Sequence, residues 1–369
     1  MKCIACGSNN TLRDRTKNNR LCKQCQHPFA FEPATMQGLK ITDRFFADAI
    51  ADISANQTLY FTFRQLLYIL DRRLKQRKIF DLKETNLISP AIITAISVII
   101  TSAWEFLINA NHPFFAATIV GIVTYGISSM FSPLLNFGGG GTVTSEQLQN
   151  WIDAWQKVNP PIEKLLPKSI AENNAIAIEP EISAYSFDRV VICEKDAIAQ
   201  LLIANNFHFE NNCAILSANG YPQSIFNTVL IMLRRNAELK VYILHDASPP
   251  GISLVRTIRS SSDWFGNQNI PIFDIGLLPR QFFSRIKVDV RVSPAYADAA
   301  KQLPPIVTQT LTDQELRWLQ AGKFVELDSF SPAKIIRLLQ KGIAISQTAD
   351  DLLLTDVGID YVYSVENFG

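Results

Sequence analysis

Net charge is nearly absent from this 369-residue chain: 35 Lys+Arg stand against 34 Asp+Glu, a formal balance of +1. So even a total excludes attraction to nucleic acid by bulk electrostatics and leaves that task to local basic patches. Cysteine is missing from most of the length. Four of the six cysteines lie in the first 25 residues, at Cys3, Cys6, Cys22 and Cys25, while Cys193 and Cys213 sit in apolar, strand-like runs. A disulfide framework spreads its cysteines over a small secreted domain, so the clustering points to metal ligation in a reducing compartment. The N-terminus carries no apolar core of the kind a secretory signal needs. Charge is lacking again, locally, in two long stretches. Residues 87–108, "LISPAIITAISVIITSAWEFLI", hold only Glu105, and residues 113–135, "PFFAATIVGIVTYGISSMFSPLL", hold none.

At 47% hydrophobic the average composition is ordinary, so a membrane argument rests on those two runs alone. Each is about long enough to cross a hydrocarbon core of ~30 Å at about 1.5 Å per residue. The short "NANH" between them predicts a transmembrane helical hairpin over residues 87–135. Arg72, Arg73, Lys75, Arg77 and Lys78 crowd its N-terminal side, and the connecting loop has no Lys or Arg. The positive-inside tendency then gives an integral membrane protein with both termini and the C-terminal domain cytoplasmic.

What is present begins with two Cys-x-x-Cys knuckles separated by 15 residues, "CIACGSNNTLRDRTKNNRLCKQC". Four thiolates at this spacing close a tetrahedral zinc site, and so small a piece needs the ion to fold. Residues 1–30 therefore read as a zinc ribbon that recognises or organises, since four protein ligands leave no catalytic position. Residues 38–85 read as a small winged-helix-like segment. Phe45, Phe46, Ile50 and Ile53 mark one helix with Asp43 as its N-cap, and Leu66, Leu67, Leu70 and Leu74 mark another. Residues 136–180 read as a glycine-rich linker followed by an amphipathic helix. Thr144 and Gln147 form its capping box, and Leu148, Trp151, Ile152 and Trp155 its apolar face. Residues 181–369 alternate strand and helix. "RVVICEK", "CAILSANGYP", "KVYILHD" and "IPIFDIG" predict a parallel sheet covered on both faces.

In such a sheet functional groups gather at the carboxyl ends of the strands, where Glu194 and Asp246 stand. Two acids meeting there suit magnesium, a hard cation that prefers oxygen. The run "VVICEKDAIAQLL", "SANGYP", "VYILHDASPPGISL" resembles, in order, the Toprim domain of type IIB topoisomerases (the A subunit of topoisomerase VI) and their meiotic relatives. The downstream "DIGLLP", "LTDQELRWL" and "VELDSF" are similar too, so the resemblance covers roughly residues 185–345. It implies a Toprim-like α/β fold, with Glu194 and Asp246 as magnesium ligands and catalytic acids. It also implies binding turns at Gly220-Tyr221 and at Ser248 to Gly251. "FTFRQLLYIL" resembles the family's Arg-x-x-x-Tyr motif, which implies Arg64 as a binding residue and Tyr68 as a nucleophile toward DNA.

The departures carry as much weight. Ser248 stands where the family has its second metal aspartate, Asn219 replaces a lysine, and Gln223 replaces an acid. The sequence therefore supports a membrane-anchored module with weakened metal chemistry that binds nucleic acid (DNA or RNA) or a protein. The alternatives are a magnesium-dependent DNA-cleaving enzyme and a membrane scaffold for protein partners. A homodimer is compatible with all three.

Overall fold

The apolar runs of the C-terminal half form strands because each residue of the run has a hydrophobic layer to enter. In the computed structural model these are β1 (Arg189–Cys193), β2 (Cys213–Ser217), β3 (Lys240–Leu244) and β4 (Ile272–Asp274). They pair in parallel in the order β2-β1-β3-β4, as the strand–helix alternation predicts. Alternate side chains enter opposite cores. Val190, Ile192, Val241 and Ile243 pack into one, and Val191, Cys193, Tyr242 and Leu244 into the other. Both faces are thus dry, which is why the strands carry no polar alternation. A small antiparallel pair, β5 (Arg291–Val292) and β6 (Lys323–Phe324), follows, and Ala247 bridges to Val325 just beyond β6.

Residues 1–77, 142–167, 187–236, 238–265, 270–283 and 288–348 are described by the structure. They fall into two compact units, one built from Met1–Ala30, Thr42–Ile69 and Ala154–Gly369, the other from Phe31–Ile41 and Leu70–Asp153. In the first unit, helix Asp43–Ile53 buries Phe46, Ile50 and Ile53. Its N-cap is Thr42, whose hydroxyl accepts from the Phe45 N–H, and not Asp43 as the sequence suggests. Residues 63–77 are helical, with Leu66, Leu67, Leu70 and Leu74 all buried. In the second unit Thr144 and Gln147 exchange the two capping hydrogen bonds, each at 3.1 Å.

The integral-membrane localisation expected above is corrected. Among the described residues no helix is long and apolar enough to cross a membrane. The runs at 87–135 on which the hairpin and the cytoplasmic placement rested lie outside the described residues, as do Lys78, 136–141 and 168–180.

Candidate functional site

The order β2-β1-β3-β4 reverses direction between β1 and β3, and the carboxyl edge at such a reversal is where an α/β sheet opens a crevice. Register does the rest. Cys193 pairs with Leu244, so the chain delivers Glu194 and His245-Asp246 side by side. The Asp246 N–H donates to Glu194 Oε2 at 2.8 Å, and the Glu194 N–H donates to the Leu244 carbonyl at 2.9 Å. Gly251 closes this corner. A Cβ there would lie 2.3 Å from the Asp246 carbonyl oxygen and 2.9 Å from Glu194 Oε2.

Ser248 spends its hydroxyl on the fold. It is the N-cap of helix Pro249–Ser260 and accepts from the Gly251 N–H at 3.2 Å. Asp246 is almost wholly buried. Its Oδ1 accepts from the Leu327 N–H at 2.7 Å, and its Oδ2 pairs with Lys195 Nζ at 2.7 Å. Burial pushes its pKa up to about 7, against the pull of Lys195.

Lys195 extends the cluster. Its ammonium also lies 2.8 Å from Glu326 Oε1 and 3.4 Å from Asp328 Oδ2. Burial alone would favour its neutral form, but Asp246, Asp328 and Glu326 outweigh that and keep it charged. Glu326 then reaches the helix at 63–77. Arg64 Nη2 donates to both of its carboxylate oxygens, at 2.8 and 2.7 Å, and the Tyr68 hydroxyl donates to Oε2. Burial would raise the Glu326 pKa, yet Lys195, Tyr68 and Arg64 together hold it at about 2. The Tyr68 phenol is buried and pushed well above its ordinary value, first by burial and then by Glu326. The Arg291 guanidinium lies 3.9 Å over the centre of its ring. Thr62 Oγ1 donates to Asp328 Oδ1 at 3.0 Å and fixes the remaining acid.

The structure therefore brings Tyr68, Arg64, Glu194, Asp246, Ser248 and Gly251 into one contiguous group, through Lys195, Glu326 and Asp328. Gly220 and Tyr221 belong to a different hydrogen-bond group. Gly220 takes a left-handed φ of 92°, the Tyr221 N–H donates to Ser217 Oγ at 3.0 Å, and Ser217 Oγ donates to Asp196 at 2.5 Å. Sequence reasoning passed over Lys195, Glu326, Asp328 and Arg291. Lys195 directly follows Glu194, and the alternating acids of "VELDSF" resemble a solvated edge. It passed over His245 as well. This buried ring faces two acceptors, the Asp246 carbonyl at 2.8 Å and Asp274 Oδ1 at 3.0 Å, so both nitrogens carry hydrogen. Burial opposes that charge, but Asp274 raises its pKa to about 9.

The donor chemistry fits magnesium. Glu194 and Asp246 offer hard oxygen atoms on one edge, and magnesium is ordinarily held by one or two carboxylates with water completing its shell, so an ion here would take the Asp246 oxygen that now pairs with Lys195. Among the described residues, the four cysteines are the only group of three or more ligand atoms within 4.8 Å of one another. Cys3 and Cys25 sulfurs are 3.6 Å apart, as are Cys6 and Cys22. Zinc–sulfur bonds of about 2.3 Å in a tetrahedron put sulfurs roughly 3.8 Å apart, so the cluster is of the right size. The two knuckles repeat one turn: Gly7 N–H donates to the Cys3 carbonyl at 2.9 Å, and Gln26 N–H to the Cys22 carbonyl at 3.0 Å.

Comparison with known proteins agrees with the sheet. Residues 189–273 match the family model of the Toprim domain shared by topoisomerase 6 A subunits and Spo11. The chain is 30% identical over 94 residues to meiotic recombination protein SPO11-4 of Oryza sativa subsp. japonica, covering 25% of this chain and 19% of that protein. It is 28% identical over 158 residues to meiotic recombination protein spo-11 of Caenorhabditis elegans, covering 39% of this chain and 37% of that protein. The chain thus spans well under half the length of these relatives.

Proposed function

We propose that this protein binds DNA and cleaves a phosphodiester by transesterification to Tyr68 at the edge formed by Glu194 and Asp246. The observation that supports this most is the hydrogen-bonded path from the Tyr68 phenol through Glu326 and Lys195 to Asp246. The Tyr68 hydroxyl reaches Glu326, and Lys195 links Glu326 to Asp246 at the sheet's carboxyl edge. The relatives are named for recombination, a reaction of DNA, which agrees with this substrate.

In the reaction the Tyr68 oxygen attacks phosphorus, a new phosphotyrosyl bond forms, and the bond to one sugar oxygen breaks. The phenol proton passes to Glu326, which already accepts its hydrogen bond and becomes basic once Arg64 and Lys195 turn from it to the phosphate, and the leaving sugar oxygen takes a proton from water. Arg64 and Lys195 neutralise charge on the non-bridging oxygens. Glu194 and Asp246 would hold magnesium, which supplies Lewis-acid stabilisation of the same charge. Cys3, Cys6, Cys22 and Cys25 would hold zinc and present the ribbon as a recognition module.

Supercoiled plasmid incubated with the protein and magnesium should be nicked or cut and should carry a covalent protein adduct. Tyr68→Phe should lose the adduct, and Glu194→Ala or Asp246→Ala should lose the cleavage. Cleavage that persists in all three variants refutes the site. A second reading, a binding module without turnover, is favoured by Ser248, whose neutral hydroxyl is committed to the helix cap. It predicts salt-sensitive DNA binding with no cleavage under any metal.

A further inference from the structure

Glu326 is held as a substrate would be. Its carboxylate receives Arg64 Nη2 on both oxygens, Lys195 Nζ at 2.8 Å and the Tyr68 hydroxyl. A guanidinium, an ammonium and a phenol converging on one anion form the donor set that holds a phosphate oxygen group. The cations are reachable and the carboxylate is not. The Arg64 and Lys195 side chains are 55% and 27% exposed, against 6% for Glu326. The backbone at this point is fixed independently of the side chain. Val325 and Ala247 exchange backbone hydrogen bonds at 3.0 and 3.2 Å, and the Glu326 carbonyl accepts from the Ser329 N–H at 3.0 Å. The side chain can therefore leave its partners by rotation while β6 and the turn after it stay in place.

We propose that Arg64, Lys195 and Tyr68 form a phosphodiester subsite which Glu326 fills as an internal competitor, so that the unliganded protein is latched. The proposal rests on the reading of DNA as the ligand and adds the position of its reacting phosphate. An incoming phosphate takes Arg64 and Lys195 from Glu326 and lies against the attacking phenol oxygen. Free of its two cations, Glu326 becomes a better acceptor for the phenol proton.

The test uses the full chain with Glu326→Gln, which keeps the shape and removes the competing charge. A short fluorescein-labelled DNA duplex should bind Glu326→Gln roughly tenfold tighter, because the fraction of protein with an open subsite rises. Adding Arg64→Ala should abolish the gain. Inorganic phosphate should raise the melting temperature of Glu326→Gln and leave that of the unsubstituted protein unchanged. Affinity that is equal or weaker in a variant with unaltered circular dichroism overturns the proposal, and so does a gain that survives Arg64→Ala. If Glu326→Gln does not fold, Glu326→Asp is read instead. One methylene shorter, it loses reach to Arg64 and should show a smaller gain of the same sign, with no gain counting against the subsite. Absence of DNA cleavage by the unsubstituted protein would sink transesterification and leave the subsite standing. Absence of the Glu326→Gln gain would do the reverse.

Discussion

Gly251 stands where no side chain fits, between the Asp246 backbone and the Glu194 carboxylate. The obstacle at 2.3 Å is backbone, so Gly251→Ala must shift the turn that joins β3 to helix Pro249–Ser260. A destabilisation of about 2–3 kcal/mol is expected, in the range of overpacked core positions, and urea unfolding measures it. Glu326 makes a pH prediction at the same scale. Its folded pKa of about 2 lies below its ordinary 4.5, so its contribution is present above pH 4.5 and is lost as the pH falls toward 2. The amount is on the order of 3 kcal/mol for a carboxylate this buried. Asp246 has the opposite sign. Its raised value stabilises most below 3.8 and loses that effect as the pH rises through about 7. Urea midpoints from pH 5 to pH 2 should fall steeply in the unsubstituted protein and less in Glu326→Gln. Equal slopes would show that the cations do not hold Glu326 as described.

Helices and strands were legible where one residue class had one place to go. The four parallel strands were readable because both faces of the sheet are dry, and the cap at Thr144 because its partner is three residues away. Helix Pro249–Ser260 carries the sharpest prediction at this scale. Ser248 caps it, so Ser248→Ala should cost about 1 kcal/mol. Aspartate caps as well as serine, so Ser248→Asp should leave the melting temperature nearly unchanged. The same substitution adds a hard, charged oxygen beside Asp246, and manganese affinity measured by calorimetry should rise about tenfold or more. A Ser248→Asp protein that folds normally and binds manganese no better would show that the edge is not a cation site.

Across the whole molecule, two sites of different chemistry depend on chain segments far apart in sequence. The cysteine cluster at residues 3–25 has only a small apolar cluster of its own, Cys3, Cys22 and Phe29, with Met1 packed against it. Removing zinc with a strong chelator should therefore unfold this piece and leave the sheet intact. Loss of protease resistance confined to the first 30 residues would be the expected record, and an unaltered digest after complete metal removal would count against zinc. The second site joins a helix at 63–77 to the sheet edge near 194 and 246 and to the acids near 326. Its assembly could not be read from local pattern. Acids and lysines next to apolar residues look solvated in sequence, and only the fold shows that Asp246, Glu326 and Asp328 are buried with Lys195 held among them.

The sequence by itself determined the parallel sheet, the placing of Glu194 and Asp246 each at the carboxyl end of a strand, and the thiolate spacing, while the β1–β3 register alone set the two acids side by side. The first three follow from periodicity or from a fixed number of residues between ligands, which are local quantities. It also suggested a membrane span, from apolar length alone, which the described helices do not contain. Tertiary structure decided that Ser248 serves a helix, that Lys195 lies among three carboxylates, and that Glu326 rather than solvent holds Arg64 and Tyr68. The physical reason is desolvation. A charge removed from water must find an opposite charge or a hydrogen bond, and folding alone determines which one comes within reach.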